Sequence, residues 1–170
     1  MQLHQINIQY DMAQDRLLLR VSTRDRQEYR LWLTRRFTAL WWPALFEVLG
    51  HNEAVRRQGD PELQKAVLEF QHQTALQGTD FRQRFDAEEL AQGMAPLLVH
   101  KVQMRRDGEE HYLLVFSPQE GPGLEVRLPE RIMHALARLL TEGVKQADWG
   151  IAAPAAAQPD LPPAAERRLN

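Results

Sequence analysis

The chain has 170 residues, no cysteine and a formal net charge of −2. That length is enough for one domain with a sizeable core, and the lack of cysteine excludes disulfides, thiolate catalysis and cysteine-ligated zinc or iron–sulfur sites. The near-neutral balance gives no bulk electrostatic case for nucleic acid or an anionic membrane, and no apolar run reaches the ~18 residues that span a bilayer.

Residues 3–10 alternate. His4, Ile6, Ile8 and Tyr10 share one side and Gln5, Asn7 and Gln9 the other, the pattern of a half-buried strand rather than of a secretory leader. The expectation is a cytoplasmic protein. Asp11 to Asp15 reads as a turn, residues 16–22 (RLLLRVS) as a second strand, Arg24 to Gln27 as a second turn and residues 28–33 (EYRLWL) as a third strand. Thr34 is placed to cap a helix, because its hydroxyl can accept an N–H left free at the first turn. Phe37, Leu40, Trp41, Ala44, Leu45 and Val48 follow at helical spacing, and Gly50 ends the run. Pro43 removes one backbone hydrogen bond and is expected to kink or divide that helix.

Residues 51–59 form a polar loop. Asp60 and Pro61 open a second helix, with Leu63, Ala66, Val67 and Phe70 as its stripe, running to about Leu76. FRQRF at 81–85 alternates like a short edge strand, and Asp86 and Glu89 have capping-box spacing. Leu98 to Arg105 reads as one strand, Asp107-Gly108 as a hairpin turn, 110–117 and 124–128 as two further strands, and Pro129 to Gln146 as a helix with Ile132, Leu136, Leu139 and Leu140 inward. Residues 151–170 are dominated by Ala and Pro and read as a disordered tail.

The second half repeats the first. His4, Ile6, Ile8 and Asp11 match His100, Val102, Met104 and Asp107 at an offset of 96, and Leu31, Leu33, Arg36 and Phe37 match Val126, Leu128, Arg131 and Ile132 at 95. The expected fold is therefore α+β: a duplicated β-β-β-α unit, with antiparallel sheets packed on helices about a pseudo-twofold axis. Unit one is 1–50, a helical linker is 51–97 and unit two is 98–150, together one domain at 1–150.

This order of elements resembles the Whirly-like architecture of the Whirly, Pur-alpha and positive-cofactor proteins, which pair two meander-plus-helix units. The resemblance implies single-stranded nucleic-acid binding, which many members perform. Three strands are legible in the first unit, where that architecture has four; FRQRF is a candidate fourth for the second. The stretch QDRLLLRVSTRDRQEYRLWLTRRF is also similar to uncharacterised proteobacterial proteins.

The surface that stands out is the outward sheet face. In unit one it carries Gln5, Asn7, Gln9, Arg16, Arg20, Arg30 and Trp32, and in unit two Lys101, Gln103, Arg105 and Arg127. Arginine neutralises phosphate, amides meet base edges, and Trp stacks on an unpaired base at about 1–3 kcal/mol. The same residues suit a protein partner or a plain solvated face, and Glu28 and Glu125 oppose the positive charge. Trp42, Phe46 and Leu49 broaden the apolar surface of the first helix beyond one stripe. They call for burial against a second helix, within the chain or in a homodimer. The six histidines have no metal-ligand spacing, although His4 and His100 share a repeat position. Ser22 and Ser117 do too, outside any nucleophile elbow. Arg35 and Arg36 sit at a helix start, where an anion could be held. No catalytic residue, cofactor or membrane association is expected. The leading reading is a non-enzymatic binding or scaffold module, with single-stranded nucleic acid as the alternative ligand and an enzyme with an unrecognised site last.

Overall fold

The computed structural model describes residues 3–50 and 95–154. Strands β1 (Leu3–Asp11), β2 (Arg16–Thr23) and β3 (Glu28–Thr34) lead into helix α1 (Arg35–Gly50). A two-residue strand β4 (Leu97–Leu98) precedes β5 (Lys101–Arg106), β6 (His111–Ser117) and β7 (Leu124–Pro129), and helix α2 (Glu130–Ala147) follows. The fold is α+β, with one sheet in the order β1-β2-β3-β4 and a second in the order β5-β6-β7. Among the described residues no helix is long and apolar enough to cross a membrane. The helix, edge strand and capping box expected between 60 and 89 lie outside the described residues.

Side-chain alternation sets the faces. Ile6, Ile8, Leu17, Leu19, Val21, Leu31 and Leu33 point into the core from the first sheet, and Leu114, Phe116, Val126 and Leu128 do so from the second. The registers coincide. Ile6 pairs with Val21 as Val102 pairs with Phe116, Ile8 with Leu19 as Met104 with Leu114, and Leu19 with Leu31 as Leu114 with Val126. Each first-strand residue lies 96 positions before its counterpart, and each second- or third-strand residue 95. Every pair from Gln5↔Ser22 to Tyr10↔Leu17, and from Arg16↔Thr34 to Val21↔Tyr29, has such an equivalent.

An irregularity marks the start of β1. In β1 the register shifts between Leu3 and Gln5, so that His4 is the extra residue opposite Ser22. In the second sheet Lys101 pairs with Ser117, and the His100 N–H also donates to the Ser117 carbonyl at 2.9 Å. At His4 two residues against one make a β-bulge, whereas His100 stands just before β5, where the ladder with β6 begins. Both side chains are exposed rather than inward.

The expected strand Leu98–Arg105 is divided between the two sheets. Leu97 and Leu98 pair in parallel with Leu31 and Trp32 of β3, and the Val99 N–H donates to the Trp32 carbonyl at 3.0 Å. From His100 onward the chain bonds to β6 instead. Val99 is buried while His100 and Lys101 are both exposed, so the alternation breaks where the strand changes sheets. This crossing gives the first sheet its fourth strand.

The helices are shared crosswise. α1 follows β3 yet sends Trp41 to the second sheet, where its indole N–H points at the Met104 sulfur at 3.2 Å and its ring meets Phe116 edge-on at 5.5 Å. α2 follows β7 yet lies on the first sheet. A Cβ on Gly143 would sit 3.0 Å from Ile8 Cγ2 and 3.1 Å from Leu17 Cδ2, so glycine permits that approach. The two helices meet where the Trp42 indole N–H donates to Thr141 Oγ1 at 3.2 Å.

Pro43 does not divide α1, which is one element of 16 residues. The proline is exposed, and the carbonyl it leaves free is that of Ala39, four residues earlier. The buried stripe of α1 is Thr38, Trp41, Trp42, Leu45, Phe46 and Leu49. It lies one position later than expected, and Leu40 is 71% exposed. Trp42 turns toward α2 and Phe46 is buried, which leaves Leu40 outward. Beyond α2, Ile151 and Ala153 still pack against the core, so the ordered chain extends past the expected boundary at 150.

Candidate binding face on the first sheet

Cross-strand pairing sorts the outward residues of the first sheet into rows. Asn7, Arg20 and Arg30 stand directly opposite one another on β1, β2 and β3. In the next row Gln9, Leu18 and Trp32 are opposed, and the β3–β4 pairing adds Leu98 beside Trp32. An apolar row, Leu18–Trp32–Leu98, therefore runs beside a cationic row. Leu98 is 45% exposed, and Trp32 and Leu18 are half-buried. Arg16 flanks the apolar row on its other side, opposite Asp11 on β1 and Thr34 on β3.

Glu28 organises the cationic row. Its carboxylate lies 3.8 Å from Arg20 Nε and 3.9 Å from Arg30 Nε, and its side chain is only 10% exposed. One carboxylate between two guanidiniums orients both side chains and leaves one net positive charge on the trio. The acid expected to weaken this patch is the group that holds the arginines together.

The second sheet differs in chemistry although its registers match. Arg105, Leu113 and Arg127 form the row equivalent to Gln9, Leu18 and Trp32. Lys101, Gln103, Arg105, Glu125 and Arg127 are exposed, while Leu113 between the two arginines is buried. Long arginine stems can cover such a leucine while their heads stay in water. Arg127 is also engaged by Asp107, with Nε 2.5 Å from Oδ2. That contact, first among the causes, lowers the Asp107 pKa below the ordinary carboxylate range. The candidate residues therefore lie on two faces, one on each sheet. Asn7, Gln9, Arg16, Arg20, Arg30 and Trp32 share one sheet with an apolar centre, and Lys101, Arg105 and Arg127 share the other.

The expected association surface is inside the chain. Trp42, Phe46 and Leu49 are all buried, and the helix opposite Trp42 is α2 of the same chain. His134 is buried on α2 with its Nε2 3.8 Å from Glu130 Oε1, one helical turn back. Among the described residues no group of three or more His, Asp or Glu could hold a metal ion. Arg35 and Arg36 are exposed at the start of α1.

The sequence reading missed Leu98 as a member of the face, because its place beside Trp32 depends on a parallel pairing between residues far apart in the chain. It also missed a polar cluster on another surface. Asp15 Oδ1 accepts hydrogen bonds from the Trp149 indole at 2.6 Å and from the Tyr10 hydroxyl at 2.9 Å. The rings of Tyr10 and Trp149 meet edge-on at 6.0 Å. This cluster ties the end of α2 to the β1–β2 turn.

The chain matches no protein-family model, no curated protein and no solved structure.

Proposed function

We propose that this chain is a non-enzymatic binding module that takes a protein partner on the outer face of its first sheet. One observation carries the reading: an apolar row of Leu18, Trp32 and Leu98 lies beside two arginines pre-oriented by a shared carboxylate. Trp and Arg dominate the energetics of protein interfaces, and side chains already held in place lose less freedom on binding. The equivalent row of the second sheet has no aromatic and keeps its leucine covered, so the two faces divide into a contact surface and a solvated one.

The same reading takes the chain as a duplicated unit. The coincident registers and the crosswise helices support a common origin followed by divergence of the outer faces. In this reading the likeness to Whirly-like proteins is one of arrangement. The fourth strand of the first sheet comes from the start of the second half.

Affinity purification on the immobilised full chain tests the proposal. Partners retained by the parent chain should be lost with Trp32→Ala and kept with Arg127→Ala, with unchanged circular dichroism in both. Loss with Arg127→Ala and retention with Trp32→Ala would reject the assignment of the face. A second reading, single-stranded nucleic acid, is favoured by the position of Trp32 between Arg16 and the Arg20–Arg30 row. It requires anisotropy with oligo-dT or RNA to report binding at ~50 mM salt that weakens as salt rises. Glu28→Gln should strengthen such binding by removing the opposing charge. No binding of either oligonucleotide at low salt ends that reading.

A further inference from the structure

We propose that the outer edge of β1 pairs antiparallel with β1 of a second copy, joining two first sheets into one. The open edges of a sheet offer unpaired backbone groups and are normally guarded by charge, proline or brevity. Among the described residues, three of the four sheet edges carry such a guard. β4 is two residues long, β5 carries Lys101, Arg105 and Arg106, and β7 carries Glu125, Arg127 and Pro129. β1 is nine residues long and has neither charge nor proline from Gln5 to Tyr10. Its one irregularity, the bulge at His4, lies near its start. Among the described residues no strand other than β2 pairs with it.

A second copy fits this edge because the strand is self-complementary. Pairing about a twofold axis at Asn7 sets Asn7 against Asn7, Ile6 against Ile8 and Gln5 against Gln9. Amide then meets amide on the outer face, aliphatic meets aliphatic on the inner face, and no like charges are opposed. Main-chain hydrogen bonds supply the affinity, as in other cases of strand addition. The twofold also has a consequence for the outer face. The row Arg30–Arg20–Asn7 runs directly into its own copy across the axis. With strands ~4.8 Å apart, six strands carry one stripe about 24 Å long, with an arginine pair at each end.

This pairing is read without any ligand, so it stands or falls separately from the proposed contact face. Light scattering on the full chain should give twice the chain mass of 19.7 kDa. Asn7→Lys, which sets two ammonium groups face to face, should halve that mass with unchanged circular dichroism. Because the chain lacks cysteine, a single introduced thiol can form a disulfide only with another copy. Directly opposed strand residues lie ~4.5–5.5 Å apart at Cα, within disulfide reach. On mild oxidation Asn7→Cys should therefore run almost entirely as a covalent dimer, while Gln103→Cys at the equivalent place on β5 stays monomeric. A parent chain of single mass, or equal cross-linking of the two cysteine variants, would overturn the proposal.

Discussion

Asp15 shows how much one exposed carboxylate can organise. It is the last residue of the β1–β2 turn, with φ of 49°, in the left-handed region, and one of its oxygens accepts from both Trp149 and Tyr10. The hydrogen bond from Trp149, and then that from Tyr10, holds its pKa below the ordinary carboxylate range. A carboxyl that titrates lower in the folded than in the unfolded chain contributes stability above the unfolded value of ~4, and that contribution is lost as pH falls through the folded value. The thermal midpoint should therefore drop on acidification below about pH 4. Asp15→Asn should lower the midpoint at neutral pH and flatten that acid slope; an unaltered slope would mean the cluster does not couple to folding. Trp149 is buried, so Trp149→Ala should cost about 3–5 kcal/mol in urea unfolding. At the start of α1 the Thr34 hydroxyl accepts the Phe37 N–H at 3.2 Å. Thr34→Ala should cost about 1 kcal/mol. The equivalent position before α2 is Pro129, which makes no side-chain cap.

Elements that depend on local pattern were legible in the sequence, and those that depend on distant partners were not. Alternation around Ile6, Leu19 and Leu31, and its echo at Val102, Leu114 and Val126, was enough to place six strands and their inward faces. Thr34 and Gly50 bounded α1 because capping and helix termination act within one turn. The division of Leu97–Arg106 between two sheets was not visible, since both of its parts alternate and only long-range pairing tells them apart. Nor was the rotation of α1 that exposes Leu40, because it is set by where α2 lies. The rows of the outer face became visible only with the cross-strand registers, because matched sequence positions do not reveal which sheet each strand joins. Gly143 lets α2 lie close on Ile8 and Leu17 of the first sheet. Gly143→Val should overpack Ile8 and Leu17 and destabilise by about 1–3 kcal/mol, measured as a lower urea midpoint with the slope unchanged.

At the scale of the whole molecule, each half supplies the helix that covers part of the other. Trp41 completes the interior of the second sheet, and α2 seals the first against Ile8 and Leu17. Neither half can then bury its own apolar face alone, and the outer face of the first sheet, including Leu98, exists only when both are present. Such interdependence makes unfolding cooperative and fixes the Trp32 row in place. Far-UV circular dichroism and sedimentation of residues 1–50 and 95–154, prepared separately, test this most directly. Neither fragment should fold as a monomer. Either fragment folding cooperatively by itself as a monomer would contradict the crosswise sharing of helices.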